Sequence, residues 1–415
     1  MDLVRRRPRW PTARDRARID TDLMRLGAAA IATVLAVNSV QPVTAAVPHA
    51  LWVTAWEAPL NTVFASSPGS GPSGTTVRNI ARVWTAGAQI RVRFSNALDQ
   101  TTPLVIGAAT VGIVQNAPSP ALATESLRTI TFGGQRSATL LAGAQSLVSD
   151  PVAFPVRAQE DIAISIFLPA AKEPGAATAD YNTSYQAPPG AGDQTRDTSG
   201  VPFIIGSDAT YALTGVDVLG TGAAGVIIGL GSSTFQGSNA IPNGHDRVLE
   251  LMAARGTSLP LGSQRPVVSA GIGGDTLHAG LTRAQRDVFS QSGVTGMVVY
   301  DINDLAQGRT AGQVEADYAT LVRQAHQRHI IVFCSTWAPE STDFTHETER
   351  HALNQWLLTS SPCDGVVDWD AVLRSPLYPD TYNPLYFSDS IHPNALGHAA
   401  MAAAVPDSWF TQTLR

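Results

Sequence analysis

Two spacings of apolar residues divide the chain. Over residues 51–221 apolar and polar positions alternate in short runs, cleanly in Ile90-Arg91-Val92-Arg93-Phe94-Ser95 and less so in Ile162-Ala163-Ile164-Ser165-Ile166-Phe167-Leu168. A period of two sends successive side chains to opposite faces, so each run predicts a strand with one buried face in an antiparallel sheet. Ser67-Pro68-Gly69-Ser70-Gly71-Pro72 and Pro188-Pro189-Gly190-Ala191-Gly192 punctuate the runs, and no long helical period interrupts them. Many short strands with turn signals predict an all-β sandwich, jelly-roll-like in kind.

From Gly225 onward the grammar changes. Unbroken apolar runs at 226–228, 266–268, 297–300, 330–334 and 366–367 alternate with amphipathic stretches that include 315–329 and 347–358. Buried strands separated by helices predict an α/β domain, a parallel sheet with helices on both faces. Gly220, Gly222 and Gly225 mark the boundary, giving a β-sandwich over 47–222 and an α/β domain over 223–415. In such sheets the ligand site lies beyond the carboxyl ends of the strands.

The first 46 residues read differently again. Residues 1–25 hold eight arginines against four aspartates, followed by an apolar stretch at 26–37 and then Thr44-Ala45-Ala46. Basic region, apolar core and small-residue cleavage site predict a secretory signal peptide over 1–46, hence a secreted or periplasmic protein; an uncleaved anchor is the alternative. The apolar stretch is about 12 residues, short of the roughly 20 that span a bilayer. Setting this segment aside changes the charge balance. The whole chain has 28 basic and 34 acidic residues, net −6; without those eight Arg and four Asp, 20 and 30 remain, net −10. That acidity argues against nucleic acid and anionic membranes as partners. With 44% hydrophobic and 15% charged residues the chain is not a disordered one. Its two cysteines cannot make a disulfide scaffold. Cys334 closes one predicted strand and Cys363 precedes the next, positions that a helical crossover places at opposite ends of the sheet, so two free, buried thiols are expected.

The predicted strand ends hold the candidate chemistry. They carry Gly229-Leu230-Gly231-Ser232-Ser233-Thr234, Gly271-Ile272-Gly273-Gly274-Asp275-Thr276 and Asp301-Ile302-Asn303-Asp304, with Asp389-Ser390-Ile391-His392-Pro393-Asn394 near the C-terminus. A serine on a Gly-flanked strand-to-helix turn exposes its hydroxyl. That makes Ser233 a candidate nucleophile, His392 its base and Asp389 the group that orients the imidazole. The N–H groups of Ser233 and Gly274 and the side-chain amide of Asn303 are candidate oxyanion donors, each worth about 3 kcal/mol in a transition state. Taken singly, Ser233 reads as a helix cap, Gly274 as a tight turn and Asn303 as a turn residue. Ser232 is read as a structural hydrogen-bonder, and Asp275 and Asp304 as supports or caps. His346 and His351 are five apart where a zinc helix needs four, so the segment reads as a charged helix start, and His326 and His329 as solvated. No histidine or cysteine spacing calls for a metal. The run Gly271 to Gly274 is no dinucleotide fingerprint, so no cofactor is expected.

In this order the four blocks resemble those of the GDSL/SGNH hydrolase family. Gly74-Thr75-Thr76-Val77-Arg78, Arg91 to Ala97 and Asp364-Gly365-Val366-Val367-Asp368-Trp369-Asp370 are similar to a secreted bacterial subgroup with an N-terminal β-sandwich. The resemblance implies a three-layer α/β/α domain and ester hydrolysis through an acyl-serine. The chain departs from the family twice: Ser232 stands where the family has Asp, and Asp301 where it has Gly. A carboxylate at Asp301, ionised about 6 Å from the oxyanion, would cost about 3 kcal/mol at an effective dielectric of 20, roughly a hundredfold in rate. The resulting expectation is an exported serine esterase acting on short-chain esters, acetyl among them, of alcohols or carbohydrates. The alternative is a weakened hydrolase fold serving as an exported carbohydrate- or ligand-binding protein.

Overall fold

The alternating runs of the first half form two larger antiparallel sheets, with a three-stranded and a two-stranded one beside them, in the computed structural model, which describes residues 51–63, 73–169, 174–179, 181–220, 222–339 and 346–413. The segment read as a signal peptide, 1–46, and the turn cluster at 67–72 lie outside the described residues. One sheet contains β1 (Leu51–Glu57), β3 (Gly87–Phe94), β5 (Val152–Val156) and β7 (Leu213–Gly220) in the order β1-β7-β3-β5, with Leu147–Val148 also pairing β3. The other is built on β2 (Thr75–Val83), β4 (Ala108–Ile113) and β6 (Glu160–Leu168), in the order β2-β6-β4. Shorter strands continue it on both sides. Strands β2 and β6 pair over nine positions, from Glu160 opposite Val83 to Leu168 opposite Thr75.

Val77, Ala81, Val83, Ile162, Ile164 and Ile166 from one sheet meet Ile90, Val92, Phe94, Val216 and Val218 from the other in a single core. The alternation in β3 therefore faces as the sequence predicts, but its polar side is not in water. Arg93 is buried, and Arg93 and Arg91 both reach the carboxylate of buried Asp217, at 2.6 and 2.9 Å. Ser292, in the loop before a strand of the parallel sheet, donates to the same carboxylate at 2.7 Å. Thr54 N donates to the Ser292 carbonyl at 2.9 Å. The strand-rich and parallel-sheet parts meet through this network.

The parallel sheet comprises β8 (Val226–Gly231), β9 (Val267–Gly271), β10 (Val294–Tyr300), β11 (Ile331–Ser335) and β12 (Gly365–Val367), ordered β9-β8-β10-β11-β12. All four pairings are parallel. Helices α1 (Ser233–Gln236), α2 (Val248–Thr257), α3 (Leu277–Ala284), α4 (Asn303–Ala306), α5 (Ala311–His326), α6 (Glu347–Thr359), α7 (Trp369–Leu373) and α8 (Ala395–Ala404) follow the strands. Neighbouring positions of β8 show that helices cover both faces. A Cβ on Gly229 would run into Leu249 of α2, whereas the next residue, Leu230, packs on Gly280 of α3.

Several expectations are corrected. Cys334 and Cys363 are joined in a disulfide, with Cα atoms 6.0 Å apart, and Cys363 is only partly buried. The argument for separation assumed an extended approach to the last strand; β12 is three residues long and Cys363 lies in the loop before it, free of the ladder's register. Helix α5 starts at a capping box between Thr310 and Gln313 and stops at His326, leaving His329 at φ 59° in the turn beyond. His326 is not merely solvated, since its Nε2 lies 2.8 Å from Asp364 Oδ2.

Candidate active site

Strand β8 delivers Ser232 and Ser233 at its carboxyl end, and Ser233 opens α1. The Asp389–His392 segment reaches it from just ahead of α8, where Asn394 Oδ1 caps the helix by accepting from Gly397 N. Buried His398, on α8, contacts Ser238 O at 3.2 Å and Val248 N at 3.3 Å, fastening that helix to the segment after α1. Burial lowers its pKa, so it is held as a neutral imidazole.

His392 Nε2 stands 2.9 Å from Ser233 Oγ, and His392 Nδ1 stands 2.8 Å from Asp389 Oδ2. An ionised carboxylate only accepts, so the imidazole proton belongs on Nδ1 and Nε2 is free to accept from the serine hydroxyl. Asp389 Oδ1 accepts from the N–H groups of Ile391 and His392, and Asn239 Nδ2 donates to Asp389 Oδ2 and to the His392 carbonyl. Burial works to raise the Asp389 pKa, but the backbone and ring of His392, the Ile391 amide and Asn239 outweigh it and hold the carboxyl well below its usual range. Asn239 was missed by sequence reasoning; neither motif nor spacing links it to a loop 150 residues away.

The turn that carries the candidate donor Gly274 lies near the same serine, since a Cβ on Gly273 would stand 4.0 Å from Ser233 Cβ. A turn at Ile272-Gly273-Gly274-Asp275 is closed by Asp275 N on Ile272 O, with Gly274 at φ +75°, the left-handed conformation its third position requires of glycine. The N–H groups of Ser233 and Gly274 donate to no acceptor among the described residues. Asn303 opens α4, and its Nδ2 donates to the Asp275 carbonyl at 2.6 Å, so its side chain is tied to that turn. Arg283, also unremarked in the sequence, bonds Asp275 and the carbonyls of Gly231 and Ala270, pinning the ends of β8 and β9 to the turn. Asp304 accepts from Leu277 N and His278 N, the first amides of α3, which makes it a cap.

The two departures from the family resolve differently. Asp301 is buried, and its Oδ1 accepts from Ile302 N at 2.8 Å and Asn303 N at 3.1 Å. Burial, with Asp304 and Asp275 adding to it, raises its pKa well above the ordinary value despite those two hydrogen bonds. Burial therefore favours the uncharged carboxyl and works against the anion that the sequence would place near the oxyanion. Ser232, read as a hydrogen-bonder, is corrected: its Oγ is buried with no partner among the described residues. Of possible metal donors, Glu347, His351 and Asp380 come within 4.8 Å of one another at the start of α6. Arg350 engages the Glu347 carboxylate there, and Asp380 comes from a loop that no spacing rule would connect.

The model of the GDSL-like lipase/acylhydrolase family matches residues 230–400, the stretch that runs from the end of β8 through the Asp389–His392 segment. Residues 230–400 are a GDSL-like lipase/acylhydrolase domain. No curated protein matches the chain. Solved structures similar to part of the chain include a lipolytic protein, a lipase/acylhydrolase and an esterase. A member of the lipolytic protein G-D-S-L family from Veillonella parvula DSM 2008 is 18% identical, with 43% of this chain and 94% of that one covered and a TM-score of 0.36. The lipase/acylhydrolase from Enterococcus faecalis is 18% identical over 43% and 92%, TM-score 0.33. The acetyl xylan esterase AlAXEase is 17% identical over 44% and 98%, TM-score 0.35. The candidate residues Ser233, Gly274, Asn303, Asp389 and His392 all fall inside the GDSL-like domain.

Proposed function

We propose that this chain is an exported serine esterase that removes short acyl groups, acetyl among them, from alcohols or carbohydrates. The observation that carries the reading is the continuous contact from Ser233 Oγ through His392 to Asp389, at 2.9 and 2.8 Å. Ser233 Oγ attacks the ester carbonyl while His392 Nε2 takes its proton. The N–H groups of Ser233 and Gly274 and the Asn303 amide receive the oxyanion. His392 returns the proton to the departing alkoxide, leaving an acyl-serine. Water, deprotonated by the same imidazole, then releases the acid and restores Ser233. Asp389 keeps the ring in the required tautomer and balances the imidazolium.

Export rests on the composition of residues 1–46, and the Cys334–Cys363 disulfide suits the oxidising compartment that export implies. In this reading residues 47–222 are a β-sandwich, jelly-roll-like, and 223–415 the three-layer hydrolase domain. Turnover of p-nitrophenyl acetate by the purified protein and by Ser233→Ala tests it. The wild type should hydrolyse the ester and the variant should lose essentially all of that activity; equal rates would end the assignment. A non-catalytic binding role was suggested by Ser232 and Asp301. The raised pKa of buried Asp301 weakens one of those two motives, and glycan binding by a protein without turnover would restore that role.

A further inference from the structure

The turn that carries Gly274 has a weakness built into its sequence. Its central peptide joins two glycines, Gly273 and Gly274, and glycine imposes little on either side of a peptide plane. With so little set by the turn itself, something outside it must hold the peptide that leads into it, Ile272–Gly273.

Gln236 does so. It is the last residue of α1, three beyond Ser233, and its side chain is buried. Its Oε1 accepts from the Gly273 N–H at 2.7 Å. The contact is close: a Cβ on Gly273 would lie 2.7 Å from that oxygen and 4.0 Å from Ser233 Cβ. The other end of the same amide points out of the GDSL-like domain. Gln236 Nε2 donates to the carbonyl of Thr178, in the strand-rich region. Thr178 is itself clamped: Asn61 Oδ1 accepts from both its N–H and its hydroxyl at 3.1 Å, and Asn61 Nδ2 donates to its carbonyl at 3.3 Å. The Asn61 backbone is fixed in turn by Asn61 N on Ala176 O at 3.0 Å. Around this junction Ala177, Thr178, Gln236, Ser269 and Gly271 line one small cavity, so the link lies on the seam between the two parts.

We propose that Gln236 is a positioning residue through which the strand-rich region, by way of Asn61 and Thr178, anchors the Ile272–Gly273 peptide and so places the turn whose Gly274 N–H is a candidate oxyanion donor. The inference rests on the esterase reading for its catalytic consequence. An amide suits the position because it accepts and donates at once, and the distance from Asn61 to the reacting atoms makes Asn61 a clean probe.

Steady-state kinetics on p-nitrophenyl acetate for Gln236→Ala, Asn61→Ala and the double variant test the link. Misplacing one oxyanion donor costs up to about a hundredfold, so Gln236→Ala should lower kcat by roughly ten- to a hundredfold with KM little changed. Asn61→Ala should lower kcat several-fold in the same way, and the double variant should lose no more than Gln236→Ala alone, because both act through one chain of contacts. Multiplying losses, or a loss confined to KM, would overturn the proposal. Hydrogen exchange of the peptide spanning 271–276 keeps the test independent of turnover. Its amides should exchange faster in both single variants, and unchanged protection in Asn61→Ala would also overturn it. If the wild type shows no turnover, the esterase reading fails while the exchange result still decides the link.

Discussion

Asp301 is the residue on which sequence and geometry pull hardest against each other. As an ionised group it would oppose the oxyanion; buried and bonded to two backbone amides, it is pushed toward the neutral form and shapes the turn that carries Asn303. Its folded pKa is raised, so between the unfolded value near 4 and the folded one the native state keeps a proton that the unfolded chain has lost. The contribution of that carboxyl to stability is complete below about pH 4 and falls as pH rises. Asp301→Asn keeps the acceptor and removes the titration. Denaturation at pH 5 and pH 8 should show the variant gaining on wild type as pH rises, with kcat within about threefold. A steep loss of activity would mean that the carboxyl itself has a chemical task. Asp389 titrates with the opposite sign. Its pKa is lowered, so its contribution is present above about pH 4 and is lost as pH falls through the folded value. Ser232 completes this scale. With its buried hydroxyl unpartnered, Ser232→Ala should leave stability unchanged or raise it by up to about 1 kcal/mol in urea unfolding.

At the level of elements, much was legible. Each apolar run of the second half became a parallel strand, because a strand covered on both faces has to be apolar throughout. Three of those strands, β8, β9 and β10, end two or three residues before Ser233, Gly274 and Asn303, because that is where a parallel sheet opens. The Asp389-x-x-His392 spacing was legible too, since a single turn sets Asp389 against one ring nitrogen of His392 and leaves the other for Ser233. What stayed hidden depends on segments that only the folded chain brings together. Asn239 meets Asp389, Arg283 meets Gly231, and Thr178 meets Gln236, and none of these pairs has a sequence signature. The disulfide failed for a related reason: the register of a three-residue strand does not govern the loop in front of it. Cys334–Cys363 closes a loop with a sequence separation of 29. On chain-entropy grounds such a crosslink stabilises by about 3–4 kcal/mol. Reduction, or Cys334→Ser with Cys363→Ser, should lower the unfolding free energy by about that much; an unchanged denaturation midpoint would show that the bond does not constrain the unfolded chain.

At the scale of the whole molecule, two of the contacts across the seam between the strand-rich and parallel-sheet parts stand out. The buried carboxylate of Asp217 gathers Arg91, Arg93 and Ser292, and Thr54 Oγ1 donates to it at 3.1 Å. Asp217→Ala would leave Arg93 buried without a counter-charge, at a cost of about 3–5 kcal/mol, and should be read in a lowered midpoint of thermal or urea unfolding. The other contact runs through Gln236 and gives the strand-rich region a hold on the Ile272–Asp275 turn. Both serve one claim, that the molecule is built to present an activated Ser233. Labelling by a fluorophosphonate probe tests that claim most directly, because phosphonylation needs both a serine whose proton His392 accepts and donors for the oxyanion. Peptide mass analysis should place the adduct on Ser233 in the wild type and find none in Ser233→Ala or His392→Ala. A folded wild-type protein that stays unlabelled, or an adduct on another serine, would contradict the account.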